Sequence, residues 1–150
     1  MTKGRVLIIG VGNEFRGDDA VGLEAAKRLD GKVPGDAIVL RHSGDGVGLV
    51  EAWKTSDSVV VIDAMRSGRP VGSVVRYEVG LTPDFKQKSN ASSHGFGVSE
   101  SVELARAMGR LPKSLVIYGI EAANFGLGSD MSPMVEKAID AAVEAVVKEI

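Results

Sequence analysis

The stretch "VLIIGVGNEFRGDDAVG", residues 6–22, runs from an apolar segment through three glycines to two adjacent aspartates. Val6 to Ile9 form a continuous apolar run ended by Gly10, the pattern of a strand covered on both faces. "DAVGLEAAKRL" follows, with Val21, Ala25 and Leu29 at helical spacing. A buried strand, a glycine turn and an amphipathic helix form the opening of a parallel α/β sheet.

The rest of the chain repeats that alternation. "AIVLRH" (37–42), "SVVVIDA" (58–64), "SVVRYEV" (73–79) and "SLVIYGI" (114–120) read as further strands after "RVLIIG" (5–10), which makes five. Helices are predicted over "VSESVELARAMGRL" (98–111) and over the tail "SPMVEKAIDAAVEAVVKEI", with a weaker one near Leu49 to Lys54. In the tail, Ser132 stands at the N-cap, Pro133 at the first helical position and Glu136 near the capping-box site. The order implies a mostly parallel sheet between helices with right-handed crossovers. "MRSGRPVG" is too short for a parallel crossover, so the third and fourth strands are expected to be an antiparallel pair. "LTPDFKQKSNASSHGFG" (81–97) is the longest polar, irregular stretch, and long loops in compact proteins are often functional.

At 150 residues the chain, 1–150, is most simply one domain. Apolar residues make up 44% and glycine numbers 19, which suits a compact α/β protein with many tight turns. Cysteine is absent, which removes disulfides, thiolate zinc sites and cysteine nucleophiles together. A net charge of −2 gives no broad attraction to nucleic acid or anionic lipid. There is no secretory apolar region at the N-terminus and no 18-residue apolar stretch, so the expectation is a cytoplasmic protein without membrane insertion.

The turn after the first strand is the informative element. A dinucleotide fingerprint needs G-x-G-x-x-G with bare backbone facing the pyrophosphate. Here the glycines are Gly10, Gly12 and Gly17, and the helix opens with Asp18 and Asp19. Two carboxylates there would repel a phosphate by on the order of a few kcal/mol at intermediate dielectric. A P-loop also fails, because no Lys-Ser/Thr follows the last glycine. No nucleotide cofactor is expected.

Asp18 reads as a helix cap, accepting a backbone N–H. Asp19 lies beyond the carboxyl end of a parallel strand, where open α/β sheets bind ligands. Asp63 ends "VVVID", the most apolar strand, as either a hydrogen-bonded turn residue or a functional group at the rim. His94, in the long loop before a helix, is either solvated surface or a ligand flanked by small residues that allow close approach. Should Asp19, Asp63 and His94 converge, they offer nitrogen and oxygen donors to a divalent transition ion, with positions left for water or substrate.

"GVGNEFRGDDAVG", "VVVIDAM", "SSHGFGVSE" and "VIYGIEAANFGLGSDMSP" together resemble the hydrogenase maturation proteases of the HybD/HycI type, across nearly the whole chain and in the same order. The family opening G-x-G-N-x-x-x-x-D-[DE]-x-x-G falls on Gly10, Gly12, Asn13, Asp18, Asp19 and Gly22. The resemblance implies a three-layer α/β/α sandwich. It also implies an endopeptidase that trims the C-terminus of a nickel-iron hydrogenase large-subunit precursor after nickel has entered, so that the metal belongs to the substrate. Carried over by position, the metal-binding and catalytic trio is Asp19, Asp63 and His94. Two departures stand out: Ser43 occupies the place of the first residue of the family's Asp-Gly-Gly, with Asp45 two residues later, and Ala122 follows Glu121 where many members have proline. Glu121 is a possible rim residue without an assigned role.

No H-E-x-x-H motif is present, which argues against a resident catalytic zinc. Two alternatives use the same features. A nickel sensor or chaperone would employ the trio without cleavage. A peptidyl-tRNA hydrolase also opens on a strand and a G-x-G-N turn, but it would want a histidine soon afterwards, and residues 13–36 contain none.

Overall fold

In a computed structural model, residues 5–80 and 97–150 are described. The chain runs β1 (Val6–Val11), a 3-10 turn (Gly17–Ala20), α1 (Val21–Leu29), β2 (Ile38–His42), α2 (Gly46–Trp53), β3 (Ser58–Met65), β4 (Val74–Glu78), α3 (Val98–Ala107), β5 (Ser114–Glu121) and α4 (Pro133–Glu149). The strands form one sheet in the order β2-β1-β3-β5-β4. All neighbours are parallel except β4, which runs antiparallel to β5.

Side chains alternate across the sheet and so build two cores. Ile8, Val60, Ile62, Val116 and Ile120 face α1 and α4, meeting Val21, Leu29, Ile139 and Val143. Leu7, Ile9, Val59, Val61 and Ile117 face α2 and α3, meeting Leu49, Trp53, Val98 and Val102. Helices on both faces explain why β1, β3 and β5 read as unbroken apolar runs.

The expected antiparallel direction of β4 is correct, but its expected neighbour is not. β5 lies between β3 and β4 and pairs with β3 over Ser58↔Ser114 to Met65↔Glu121. Burial accounts for the exchange. β5 is buried at seven of its eight positions, whereas no residue of β4 is buried, so the more apolar strand takes the interior and the half-exposed one takes the edge.

The order 2-1-3 puts a topological switch point between β1 and β3, where a crevice opens at the carboxyl ends of the strands. The glycines of residues 10–22 set its shape. A side chain on Gly22 would collide with the carbonyl oxygens of Val11 and Ile62, and one on Gly10 with the carbonyl of Gly22 and the Ala26 methyl. Their absence lets α1 sit directly on β1 and β3.

Gly22→Ala should therefore cost about 1–3 kcal/mol, because the obstacles are backbone atoms. Gly35→Ala meets nothing within 4 Å and should change stability by less than about 0.5 kcal/mol. Urea denaturation of both variants makes the comparison, and equal stabilities would contradict this account of the seating of α1.

Candidate functional site

The turn leaving β1 is held by the Asn13 side chain and by its own backbone. Asn13 Oδ1 accepts the Phe15 amide at 2.9 Å, and the Asp19 amide donates to the Arg16 carbonyl at 3.0 Å. Gly17, with φ of 56°, brings the chain against the Asn124 carbonyl, which accepts the Asp18 amide at 2.8 Å. This left-handed turn needs glycine, since a Cβ would lie 2.6 Å from that same oxygen.

The two aspartates then diverge. Asp18 is fully buried and accepts four hydrogen bonds from the β5–α4 loop: the amides of Ala123 and Asn124 at 2.9 Å, the Ser132 amide at 2.6 Å and the Ser132 hydroxyl at 2.7 Å. Burial pushes its carboxyl up, but these donors outweigh it and hold the group below the ordinary value. Asp18 is thus a clamp on a loop over a hundred residues away rather than a cap on its own helix. Ser132 stands at the N-cap of α4, but its hydroxyl is spent on Asp18, and Glu136 turns instead toward Arg28 at 3.8 Å.

Asp19 is half-buried at the switch point. Asp63 lies near the end of β3 on the α2 and α3 face, buried, and its Oδ1 accepts the Ala64 amide at 2.8 Å. Its carboxyl is pushed well above the ordinary value by burial first and by the charge of Asp19 second, against a lowering by the Ala64 amide. Asp19 and Asp63 therefore share one electrostatic neighbourhood. His94, the third expected member, lies outside the described residues. The chain is described again from Gly97, where the Glu100 carboxylate accepts the Gly97 amide at 2.9 Å and α3 begins on the same face of the sheet as Asp63. Among the described residues, no group of three or more His, Asp or Glu side chains is arranged to hold a metal.

Other rim residues have acceptor roles that spacing alone did not reveal. Glu121, buried at the end of β5, accepts from the Ser67 amide and hydroxyl at 2.9 and 2.6 Å and from the Gly68 amide at 3.3 Å, tying down the β3–β4 turn. Asp45 caps α2 through the Gly48 amide at 3.1 Å, and His42 Nδ1 accepts the Gly44 amide at 2.9 Å. Glu121 was singled out in the sequence as the glutamate of the family's G-I-E, which marks a rim position without saying what it holds.

The HycI family model, hydrogenase maturation protease, matches residues 39–149. The chain belongs to that family. Among hydrogenase maturation proteases and their relatives, the hydrogenase expression/formation protein HupD of Thiocapsa roseopersicina is 30% identical over 142 residues, covering 93% of this chain and 64% of HupD. The chain thus spans under two-thirds of that relative's length. The [NiFe] hydrogenase maturation protease HybD of Thermococcus kodakarensis is 28% identical, with a TM-score of 0.73 over 96% of this chain and 97% of its own. The HycI maturation protease of Thermococcus kodakarensis KOD1 is 26% identical, with a TM-score of 0.72 over 96% and 90%. The five-stranded, mostly parallel sheet with its flanking helices is the fold of this family.

The contrast between the carboxylates yields two stability predictions. Asp18→Ala strands three amides of the β5–α4 loop and should cost about 3 kcal/mol or more. Asp63→Asn, measured on metal-free protein, should raise the melting temperature at pH 7. The native state holds the Asp63 proton to higher pH than the unfolded chain does, so stability falls as pH rises from the ordinary carboxylate value toward the raised one. Below that window both states are protonated, and the advantage of asparagine should vanish. Melting curves over a pH series read both effects, and a destabilised Asp63→Asn at pH 7 would contradict a carboxyl raised by burial and by Asp19.

Proposed function

We propose that the protein is a cytoplasmic endopeptidase that removes the C-terminal extension of a nickel-iron hydrogenase large-subunit precursor once nickel is in place. In this reading Asp19, Asp63 and His94 meet the nickel of the substrate and carry the hydrolysis. The observation that carries it is Asp63. The buried carboxylates Asp18 and Glu121 are each satisfied by several donors, as structural groups are. Among the described residues Asp63 has one donor, its own neighbour Ala64, and it is held against the charge of Asp19. A divalent cation shared by the two would replace that repulsion with attraction, and carboxylate oxygens with an imidazole nitrogen suit a transition ion.

Hydrolysis then needs one water. Its oxygen bonds to the scissile carbonyl carbon, the C–N bond breaks, and a proton passes from the water to the departing amine. A carboxylate of the rim, Asp19 or Asp63, is the kind of group that accepts such a proton and returns it. The nickel delivered with the substrate supplies polarisation of the carbonyl and fixes its position. No nucleotide enters the scheme, and no described helix is long and apolar enough to cross a membrane.

Incubation with nickel-loaded and nickel-free precursor, with products resolved by mass, tests the proposal. Only the loaded form should be cut. Equal cleavage of both would remove nickel gating and leave the peptidase, while intact nickel binding without cleavage of the loaded precursor would favour a non-catalytic nickel sensor. Asp19→Asn should fold and lose at least ~100-fold in turnover. His94→Ala should weaken Ni²⁺ or Cd²⁺ binding by ~10-fold or more in calorimetry, and an unchanged affinity would take His94 out of the ligand set.

A further inference from the structure

The two ends of the Asn13 carboxamide have different fates. Oδ1 accepts the Phe15 amide at 2.9 Å, a bond that only the oxygen can make, so the orientation of the whole group is settled. Both N–H groups of Nδ2 are left over. Among the described residues none accepts from them, although Asn13 is half-buried.

Asn13 lines a cleft of about 510 Å³, with Phe15 and Leu23 from the β1–α1 segment and Arg41, His42 and Ser43 from the end of β2 and the turn after it. The two sides are tied together by the Gly12 amide, which donates to the His42 carbonyl at 3.0 Å. The cleft also adjoins Asp19. The Asn13 amide donates to the Asp19 carbonyl at 3.3 Å, and a side chain on Gly12 would collide with that same oxygen. Asn124, across the Asp18–Asp19 turn, makes the same local bond, its Oδ1 accepting the Gly126 amide at 2.9 Å. It is exposed, however, and does not line the cleft.

We infer that Asn13 is a substrate-binding residue, which donates from Nδ2 to a main-chain carbonyl of the polypeptide laid through this cleft toward the paired aspartates. The inference rests on the proposed function for a polypeptide substrate. Chemistry selects the occupant: a carboxamide nitrogen donates and does not accept, so its partner is neither a metal ion nor an ammonium group. A peptide carbonyl is the acceptor that every residue of an extended chain offers, whatever its side chain. Holding one carbonyl fixes the register of the chain, and with it the peptide bond that reaches the water. The bond to Phe15 orders the carboxamide beforehand, so little side-chain freedom is lost when substrate arrives.

Asn13→Asp and Asn13→Ser test the role, because each keeps an oxygen for the Phe15 amide and removes the amide donor, the second without adding charge. Asn124→Asp is the control: it keeps an oxygen for the Gly126 amide and adds the same charge across the turn. Melting temperatures confirm folding. Nickel-free precursor, bound but not cut, gives a Kd by biolayer interferometry, nickel-loaded precursor gives kcat and KM, and calorimetry gives the Ni²⁺ affinity of the protein alone. Both Asn13 variants should raise Kd and KM ~10-fold without weakening Ni²⁺ binding, while Asn124→Asp leaves Kd and KM unchanged. Unchanged Kd and KM in a folded Asn13 variant would overturn the inference and leave the peptidase standing. An equal rise in Asn124→Asp would overturn it too, by assigning the effect to a general disturbance of the rim. Wild-type protein that binds precursor but never cleaves the loaded form would sink the proposed function alone, with the Kd comparison still deciding the role of Asn13. Wild-type protein that binds neither form would remove both.

Discussion

The carboxylate of Asp18 is the joint on which the rim depends. It accepts from three amides and a hydroxyl contributed by residues 123, 124 and 132, and it binds the turn after β1 to the loop after β5. Those two segments flank β3, the strand that carries Asp63. Without the joint, neither the position of Asp19 nor the course of the loop leading into α4 would be fixed, because both are irregular backbone. A charged acceptor fully removed from water is tolerable only when its donors are complete, and here they are.

Adjacent aspartates thus divide two tasks. Asp18 turns inward and is saturated, which holds its carboxyl down despite burial. Asp19 turns to the crevice and adds its charge to that felt by the buried Asp63. Asp18 and Asp63 shift in opposite directions because Asp18 is surrounded by donors, whereas Asp63 is buried with one described donor and lies beside a like charge.

Much of this was legible in residues 6–22. The apolar run, the glycines and the amphipathic helix specify a strand, a close turn and a seated helix, and the five strands follow the same rules of pattern. Pairing partners were less legible: strand direction follows from connection length, but the insertion of β5 beside β3 depends on a comparison of burial between distant segments. The role of Asp18 was hidden for the same reason. Local preference makes it a cap, whereas its donors lie more than a hundred residues away, and no periodicity carries that information. Asp19 and Asp63 could be placed at one rim because topology alone brings strand ends together. His94, read from its loop, falls outside the described residues.

The insertion of β5 also orders events during synthesis. β3 is complete at Met65, yet the strand that covers its open edge ends at Glu121, and β4 has no neighbour until then. For some fifty residues of elongation the most apolar edge of the sheet is unpaired, a state prone to non-native association. Closure relies on contacts distant in sequence, which slows folding. The crevice and its paired carboxylates therefore come into being only at the last step, so an incomplete chain carries the residues of the site without the site itself.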